Sequence, residues 1–232
     1  MCGRFCQVSS AADIAAVFKA ESSEISPRYN VAPSQAVVAI VRLPDPDDPQ
    51  VKSLQWGLIP SWAKDPKIGY KLINARAETV SEKPSFRSAF RKRRCLIPVN
   101  GFYEWQQVEG SRQKQPYFIG LQDEGLFAFA GLYEQWGSPG GDVLETCTII
   151  TTTANELMAP IHERMPVILA EKEYTQWLDP SFEKIDRLQV LLDPYPASEM
   201  KLYPVSSLVN NPKNDSPDCK QPMSRSNHQF SI

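Results

Sequence analysis

Between Leu96 and Thr152 the chain runs through four segments rich in β-branched, aromatic and other apolar residues: Leu96 to Trp105, Tyr117 to Leu121, Leu126 to Tyr133 and Glu145 to Thr152. Loops in which Gly and Pro concentrate separate them, and Gly137-Ser138-Pro139-Gly140-Gly141 has the composition of a hairpin connection. Upstream, Val37 to Val41 is a compact buried-strand run and Val51 to Trp56 a second strand. The stretch from Pro44 to Pro49 between them is a surface loop, because its prolines cannot donate to a ladder. Helical patterns lie around these strands. Ser10 and Asp13 form a capping box ahead of Ile14, Val17 and Phe18. Pro84 is placed to open a helix with Phe86 and Phe90 inward and Arg87, Arg91 and Arg94 outward. Thr153 and Glu156 suggest a further capping box, for a helix that must stop near Pro160, and two more helical patterns cover Glu171 to Leu178 and Phe182 to Leu192. No internal repeat or composition break divides the chain. The expectation is a single α+β domain over residues 1–218, an antiparallel sheet or barrel with helices outside, and a mobile tail over 219–232.

Composition narrows the function. The 232 residues carry 25 Lys+Arg against 27 Asp+Glu, a net charge of -2, which argues against a protein coated in positive charge for bulk DNA binding. Hydrophobic residues at 42% and charged residues at 22% fit a soluble globular protein. No secretory signal pattern opens the sequence, and no apolar run reaches the length of a membrane span. The five cysteines (Cys2, Cys6, Cys95, Cys147, Cys219) form no disulfide framework and no CxxC pair, so a reduced, cytoplasmic protein is expected. With only His162 and His228, a histidine-rich metal site is not expected, and neither phosphate-binding glycine motif occurs. The expectation is chemistry without a metal or cofactor.

Cys2 is the most informative residue. If Met1 is removed, Cys2 carries an α-amine and a thiol together. The amine can condense with an aldehyde to an imine, and the thiol can then close a thiazolidine ring. At pH 7 an α-amine is about a tenth unprotonated, against about 1 in 2,500 for lysine, which favours the terminus as the imine former. The bland alternative is an ordinary small residue near a frayed end.

Four further clusters carry candidate chemistry. In Asn74-Ala75-Arg76-Ala77-Glu78-Thr79, an extended chain puts Asn74, Arg76 and Glu78 on one face and the alanines on the other. Arg76 there suits a phosphate, although from this segment alone an exposed strand with a local ion pair is the better explanation. Glu104, between Tyr103 and Trp105, is either exposed or partly desolvated as a general acid/base. Pro160 and Pro166 bracket His162-Glu163-Arg164, an extended stretch in which His162 and Arg164 share a face and His162 is the only imidazole outside the tail. In Trp56-Gly57-Leu58-Ile59-Pro60-Ser61-Trp62, one tryptophan is assigned to the core, and Trp62 to an exposed stacking platform for a base. Cys95 and Cys147 are read as core thiols.

Taken in order, Met1-Cys2-Gly3-Arg4, Arg28-Tyr29-Asn30-Val31-Ala32-Pro33, the Trp56 to Trp62 segment, Asn74 to Thr79, Asn100-Gly101-Phe102-Tyr103-Glu104-Trp105, His162 to Pro166 and Pro204 to Asp215 resemble the SRAP family, the SOS-response-associated peptidases understood as abasic-site-processing proteins. The resemblance covers nearly the whole chain. It implies a DNA-damage protein that crosslinks covalently to abasic sites in single-stranded, replication-associated DNA and shields the lesion. On that reading Cys2 forms the thiazolidine with the ring-opened sugar aldehyde, Glu104 shuttles protons, His162 assists sugar-ring opening or reversal, and Asn74 holds Cys2 and the sugar. Arg4, Arg76 and Arg164 clamp phosphates, while Asn30, Pro33 and Trp62 complete the DNA-binding set. The implied activity is lyase-type imine chemistry with peptidase-like self-removal of Met1, in a cytoplasmic monomer that joins the nucleoid when bound to DNA. Some members carry a second tryptophan where this chain has Ala63, which removes one stacking contact. Two rival classes remain. N-terminal-nucleophile glutamine amidotransferases also begin Met-Cys-Gly, but their glutamine-binding motifs are not found here. A non-catalytic single-strand or modified-base binding module would keep its DNA affinity without Cys2.

Overall fold

In the computed structural model of the chain, residues 2–21, 25–43 and 48–223 are described. A short strand β1 (Phe5–Gln7) leads into helix α1 (Ala11–Phe18), which starts where the sequence signals it. The Ser10 hydroxyl accepts from the Asp13 N–H, and the Asp13 carboxylate accepts from the Ser10 N–H. Next come β2 (Arg28–Val31), β3 (Ala36–Arg42) and β4 (Pro49–Trp56), a 3₁₀ turn at Pro66–Lys71, and β5 (Asn74–Arg76). Helix α2 (Arg87–Lys92) precedes the long β run: β6 (Arg94–Val99), β7 (Gly101–Gln107), β8 (Lys114–Leu121), β9 (Phe127–Gly137) and β10 (Val143–Thr153). Strands β11 (Arg164–Pro166) and β12 (Ile168–Leu169), helices α3 (Tyr174–Leu178) and α4 (Ile185–Val190), and β13 (Met200–Pro204) complete the elements.

These strands form two sheets. In the first, β10, β4, β3, β6 and β9 pair in that order, and the β9–β10 hairpin closes the ring into a five-stranded barrel. β5 and β11 add to β10, and β12 adds to β9. β4 and β5 run parallel to β10; the other pairings are antiparallel, as expected. The second sheet has the order β13-β8-β7-β1-β2. Period-2 alternation decides the packing. Along the barrel strands Ala39, Val41, Leu54, Trp56, Ile97, Phe129 and Ile149 share one cluster with Phe5 and Phe102 of the second sheet. Phe5 lies 4.9 Å from the Trp56 ring, and Phe102 lies 5.8 Å from Phe129. The alternate residues, Ile40, Leu96, Ala130, Leu132 and Ile150, meet Phe18, Phe90, Trp177 and Leu188 from the helices outside. The α+β architecture with a barrel-like core is therefore the one expected. Among the described residues, no helix is long and apolar enough to cross a membrane.

Three local expectations are corrected. The segment from Leu96 to Trp105 is not one strand: it leaves the barrel at Asn100 and enters the second sheet at Gly101. A Cβ on Gly101 would sit 2.2 Å from the Phe118 ring and 2.7 Å from the Ile119 carbonyl, so only glycine fits this crossing. No helix follows Thr153, because Thr153 is the last residue of β10 and is paired with Arg164. Asn155 caps a turn instead, its side-chain oxygen accepting from the Met158 N–H at 3.0 Å. Arg94 does not face outward. The helix ends at Lys92, and Arg94, 2% exposed, donates to the carbonyls of Phe90, Arg91, Trp177, Asp179 and Phe182. Phe86 and Phe90 are buried as expected. Of the tail assigned to 219–232, residues through 223 are described: Cys219 is buried, and Val205 bridges to Pro222. His228 and the loop prolines Pro44 and Pro46 lie outside the described residues.

Candidate active site

The amino-terminal residues run antiparallel along β7. The Tyr103 N–H donates to the Arg4 carbonyl at 2.9 Å, and Phe5 pairs with Phe102. This course carries Cys2, with no exposed surface, back beside the following part of β7. Asn74 meets it from the other sheet: its side-chain N–H donates to the Cys2 carbonyl at 2.8 Å. Asn74 is set by the pairing of β5 with β10, while Ala75 and Ala77 pack into the core and Arg76 and Glu78 face out, the alternation read from the sequence. Asn74 Oδ1 is buried and has no hydrogen-bond partner among the described residues. An acceptor in this state suits an amine or hydroxyl donor.

Glu104 is desolvated, which resolves the two alternatives its neighbours left open. It is 4% exposed, and burial pushes its carboxyl up to about 7, against the opposing pull of the Trp105 backbone N–H. Burial also raises the Cys2 thiol far above the ordinary thiol range, and the Glu104 charge raises it further. The two groups thus feel each other, and at neutral pH the thiol keeps its proton.

His162 follows the turn that replaces the expected helix. That turn leans on β7 through Gln106, whose side-chain N–H donates to the Pro160 carbonyl at 3.1 Å, two residues from Glu104 on the strand and two from His162 on the turn. The Lys114 charge acts on both Glu104 and His162. Partial burial is the main cause that holds the His162 imidazole below its ordinary value, and Lys114 adds to it. The Arg164 backbone N–H donates to His162 Nδ1 at 3.0 Å.

The residues assigned to DNA are dispersed more widely. Arg164 is 6% exposed, and its guanidinium is engaged by Glu78 in a two-point pair at 2.8 and 3.1 Å. Arg4 donates to Asn30 Oδ1 at 2.8 Å and to the Val209 carbonyl at 2.7 Å, and lies 5.8 Å from the Trp105 ring centre. Asn30 has no exposed surface; its side-chain amide donates to the carbonyls of Val209, Asn211 and Asn214. These contacts make Arg4 and Asn30 anchors for the chain after β13. Pro33 is half-buried in the turn before β3, whereas Arg76 is exposed. Trp56 is fully buried and Trp62 is 58% exposed, the division expected of the pair. Gly57 and Gly69 hold the loop that carries Trp62: a Cβ on Gly57 would lie 2.8 Å from the Gly69 carbonyl oxygen, and φ at Gly57 is +131°. Ala63 is buried, with its carbonyl accepting from Trp136 Nε1 at 2.7 Å. Sequence reasoning missed Tyr70, 66% exposed, and the exposed Lys64, Lys67 and Lys71, which flank Trp62. The helical spacing of those lysines was the available signal.

Fold and site together define a β-barrel protein with a buried cysteine at residue 2, held by Asn74 and under the charge of a desolvated carboxylate. Residues 1–212 match the family described as SOS response associated peptidase. Abasic site processing protein YoqW of Bacillus subtilis (strain 168) is 53% identical over 222 residues, covering 94% of this chain and 98% of that protein. Abasic site processing protein HMCES of Mus musculus is 35% identical over 231 residues, covering 84% of this chain and 65% of that one. A crystal structure of a protein from Bacteroides thetaiotaomicron superposes with a TM-score of 0.86 at 31% identity, covering 96% of this chain and all of that one. The chain belongs to the SOS response associated peptidase (SRAP) family.

Proposed function

We propose that this protein processes abasic sites in single-stranded DNA by capturing the sugar aldehyde on Cys2 once Met1 has been removed. The observation that carries the reading is the junction at Cys2. Its carbonyl is held by Asn74, and its thiol lies under the influence of a Glu104 carboxyl poised near neutrality. The names borne by the relatives from Bacillus subtilis and Mus musculus support abasic sites as the substrate.

The raised thiol orders the steps, because it leaves the α-amine as the first nucleophile. The unprotonated amine adds to the aldehyde carbon, and water leaves as the imine forms. The thiol then adds to the same carbon, its proton passing to the nitrogen, and the thiazolidine closes without any change of oxidation state. A carboxyl near pH 7 both gives the proton that water needs to leave and takes the one the amine releases, which is the part Glu104 plays. His162 assists the opening of the sugar ring. Asn74 holds the terminus and offers Oδ1 to the amine or a sugar hydroxyl. Arg76, Trp62 and the lysines around it support a path for the strand, with stacking and phosphate contacts in place of bulk charge.

The test is incubation with single-stranded DNA bearing one abasic site, followed by mass spectrometry and denaturing electrophoresis. The expected product lacks Met1 and carries a heat-stable adduct on Cys2. Cys2→Ser and Cys2→Ala are expected to give only an imine that borohydride traps, and blocking the α-amine to abolish both. No adduct from the unaltered protein, or a heat-stable one from the blocked protein, overturns the mechanism. Release of ammonia from glutamine would point to the amidotransferase class, and DNA binding without any adduct to a binding module.

A further inference from the structure

Glu78 follows β5 on the outward face that Asn74 and Arg76 also occupy, and the chemistry above gives it no part. Its surroundings do. Arg164, almost fully buried, places Nη1 2.8 Å from Glu78 Oε1 and Nη2 3.1 Å from Oε2. Nη2 also donates to the Thr151 carbonyl at 2.5 Å, while Nε is buried without a partner among the described residues. Glu78 therefore supplies both charge-assisted contacts of this guanidinium, and the fork geometry fixes where the residue sits. The bond in turn keeps Glu78 ionised, holding its carboxyl below the ordinary range.

Arg164 also touches His162, through its backbone. The Arg164 N–H donates to His162 Nδ1 at 3.0 Å. A neutral imidazole that accepts at Nδ1 carries its proton on Nε2, so this ring presents a donor and not an acceptor on its other edge. We propose that Glu78 is a positioning residue: by anchoring Arg164 it keeps the Arg164 N–H on His162 Nδ1 and so holds His162 in the Nε2–H tautomer, which donates a hydrogen bond to a sugar oxygen of the substrate. The identity of that substrate rests on the function proposed above. The turn itself has other ties, His162 N–H to the Met158 carbonyl and Ala154 N–H to the Glu163 carbonyl, both at 3.0 Å. Loss of Glu78 is thus expected to loosen the register of residues 162–164 without unfolding them.

The readout is the tautomer, measured by nitrogen-15 NMR of the imidazoles in the DNA-free full chain, with a His228→Gln background to assign His162. The unaltered residue 78 is expected to give the Nε2–H form. Glu78→Ala is expected to give a mixture of tautomers and to slow single-turnover crosslinking roughly tenfold or more. Affinity for intact single-stranded DNA should change little, and Glu78→Asp should restore much of both rate and tautomer. If Glu78→Ala does not fold, Glu78→Gln carries the same comparison. An Nε2–H form that persists in the variant overturns the proposal. So does a Glu78→Ala protein that crosslinks at the original rate but binds intact DNA about tenfold tighter, since Glu78 would then only compete with phosphate for Arg164. Should the unaltered protein form no adduct at all, the function proposed above fails, and the tautomer comparison still decides the role of Glu78.

Discussion

The Asn74 side-chain amide donates to the Cys2 carbonyl across 2.8 Å, and the bond joins the two sheets at the amino end of the chain. Cys2 precedes β1 in one sheet, while Asn74 lies on β5, which is paired to the barrel. Asn74→Ala should cost about 1 kcal/mol of stability, the worth of one such bond, while slowing crosslinking roughly tenfold because the terminus is no longer aimed. Denaturant unfolding and single-turnover kinetics measure the two effects separately. Equal rates for the variant and the parent would reduce Asn74 to a structural contact.

Glu104 gives a pH signature of opposite sign to an ordinary surface carboxylate. Its folded value of about 7 lies above the 4.5 of an unperturbed glutamate, so the native state holds a proton that the unfolded state has released. Stability from this group is fully present below pH 4.5 and is lost as pH rises through 7. Relative to Glu104→Gln, the parent should lose about 3 kcal/mol between those limits. Unfolding free energies at several pH values test this, and parallel curves for the two proteins would refute it. The same substitution should slow adduct formation by roughly 10²–10⁴-fold with little change in DNA affinity.

Two arginines on the strands that flank β10 should behave differently. Arg76 is exposed, and Arg76→Ala should make the log-log salt dependence of single-strand binding shallower by about 0.7. Arg164 is held by Glu78 and Thr151, so Arg164→Ala should leave that slope nearly unchanged and lower stability by about 2 kcal/mol. Both are measured with Cys2 replaced, so that capture does not obscure equilibrium. A slope altered by Arg164 and not by Arg76 would reverse the assignment.

Trp62 is 58% exposed and, among the described residues, joins none of the buried clusters. Trp62→Ala should weaken binding to single strands by about 1–3 kcal/mol, leave the salt slope alone and barely move the unfolding midpoint. A marked loss of stability would mean that the ring packs against the fold.

Gly101 is where the chain changes sheets. Gly101→Ala puts a methyl against the Phe118 ring and the Ile119 carbonyl, and should cost about 1–3 kcal/mol or more by overpacking. Thermal unfolding measures it; a midpoint unchanged from the parent would show that the crossing has room.

Local pattern was enough for features whose physics is local. The Ser10 cap, the buried run of β3, the hairpin before β10 and the alternation of Ala75 and Ala77 against Arg76 follow from hydrogen-bonding groups and apolar residues at fixed spacing within a few positions. The chemistry open to Cys2 likewise belongs to its two functional groups. What the chain could not express locally is how much water each polar group keeps, because that depends on segments far away in sequence. Glu104 is desolvated on β7, where β8 pairs with it on one side and the amino end of the chain runs along the other. Asn30 is drawn inward by Asn214, 184 residues later, and Arg164 by Glu78, 86 residues before it. Arg94 looked like the outer face of a helix until the carbonyls at the ends of two other segments closed around it. A guanidinium has the same charge and reach in every setting, and whether it faces phosphate or a carboxylate of its own chain is decided by which partner the tertiary fold brings within hydrogen-bond distance before water or DNA can.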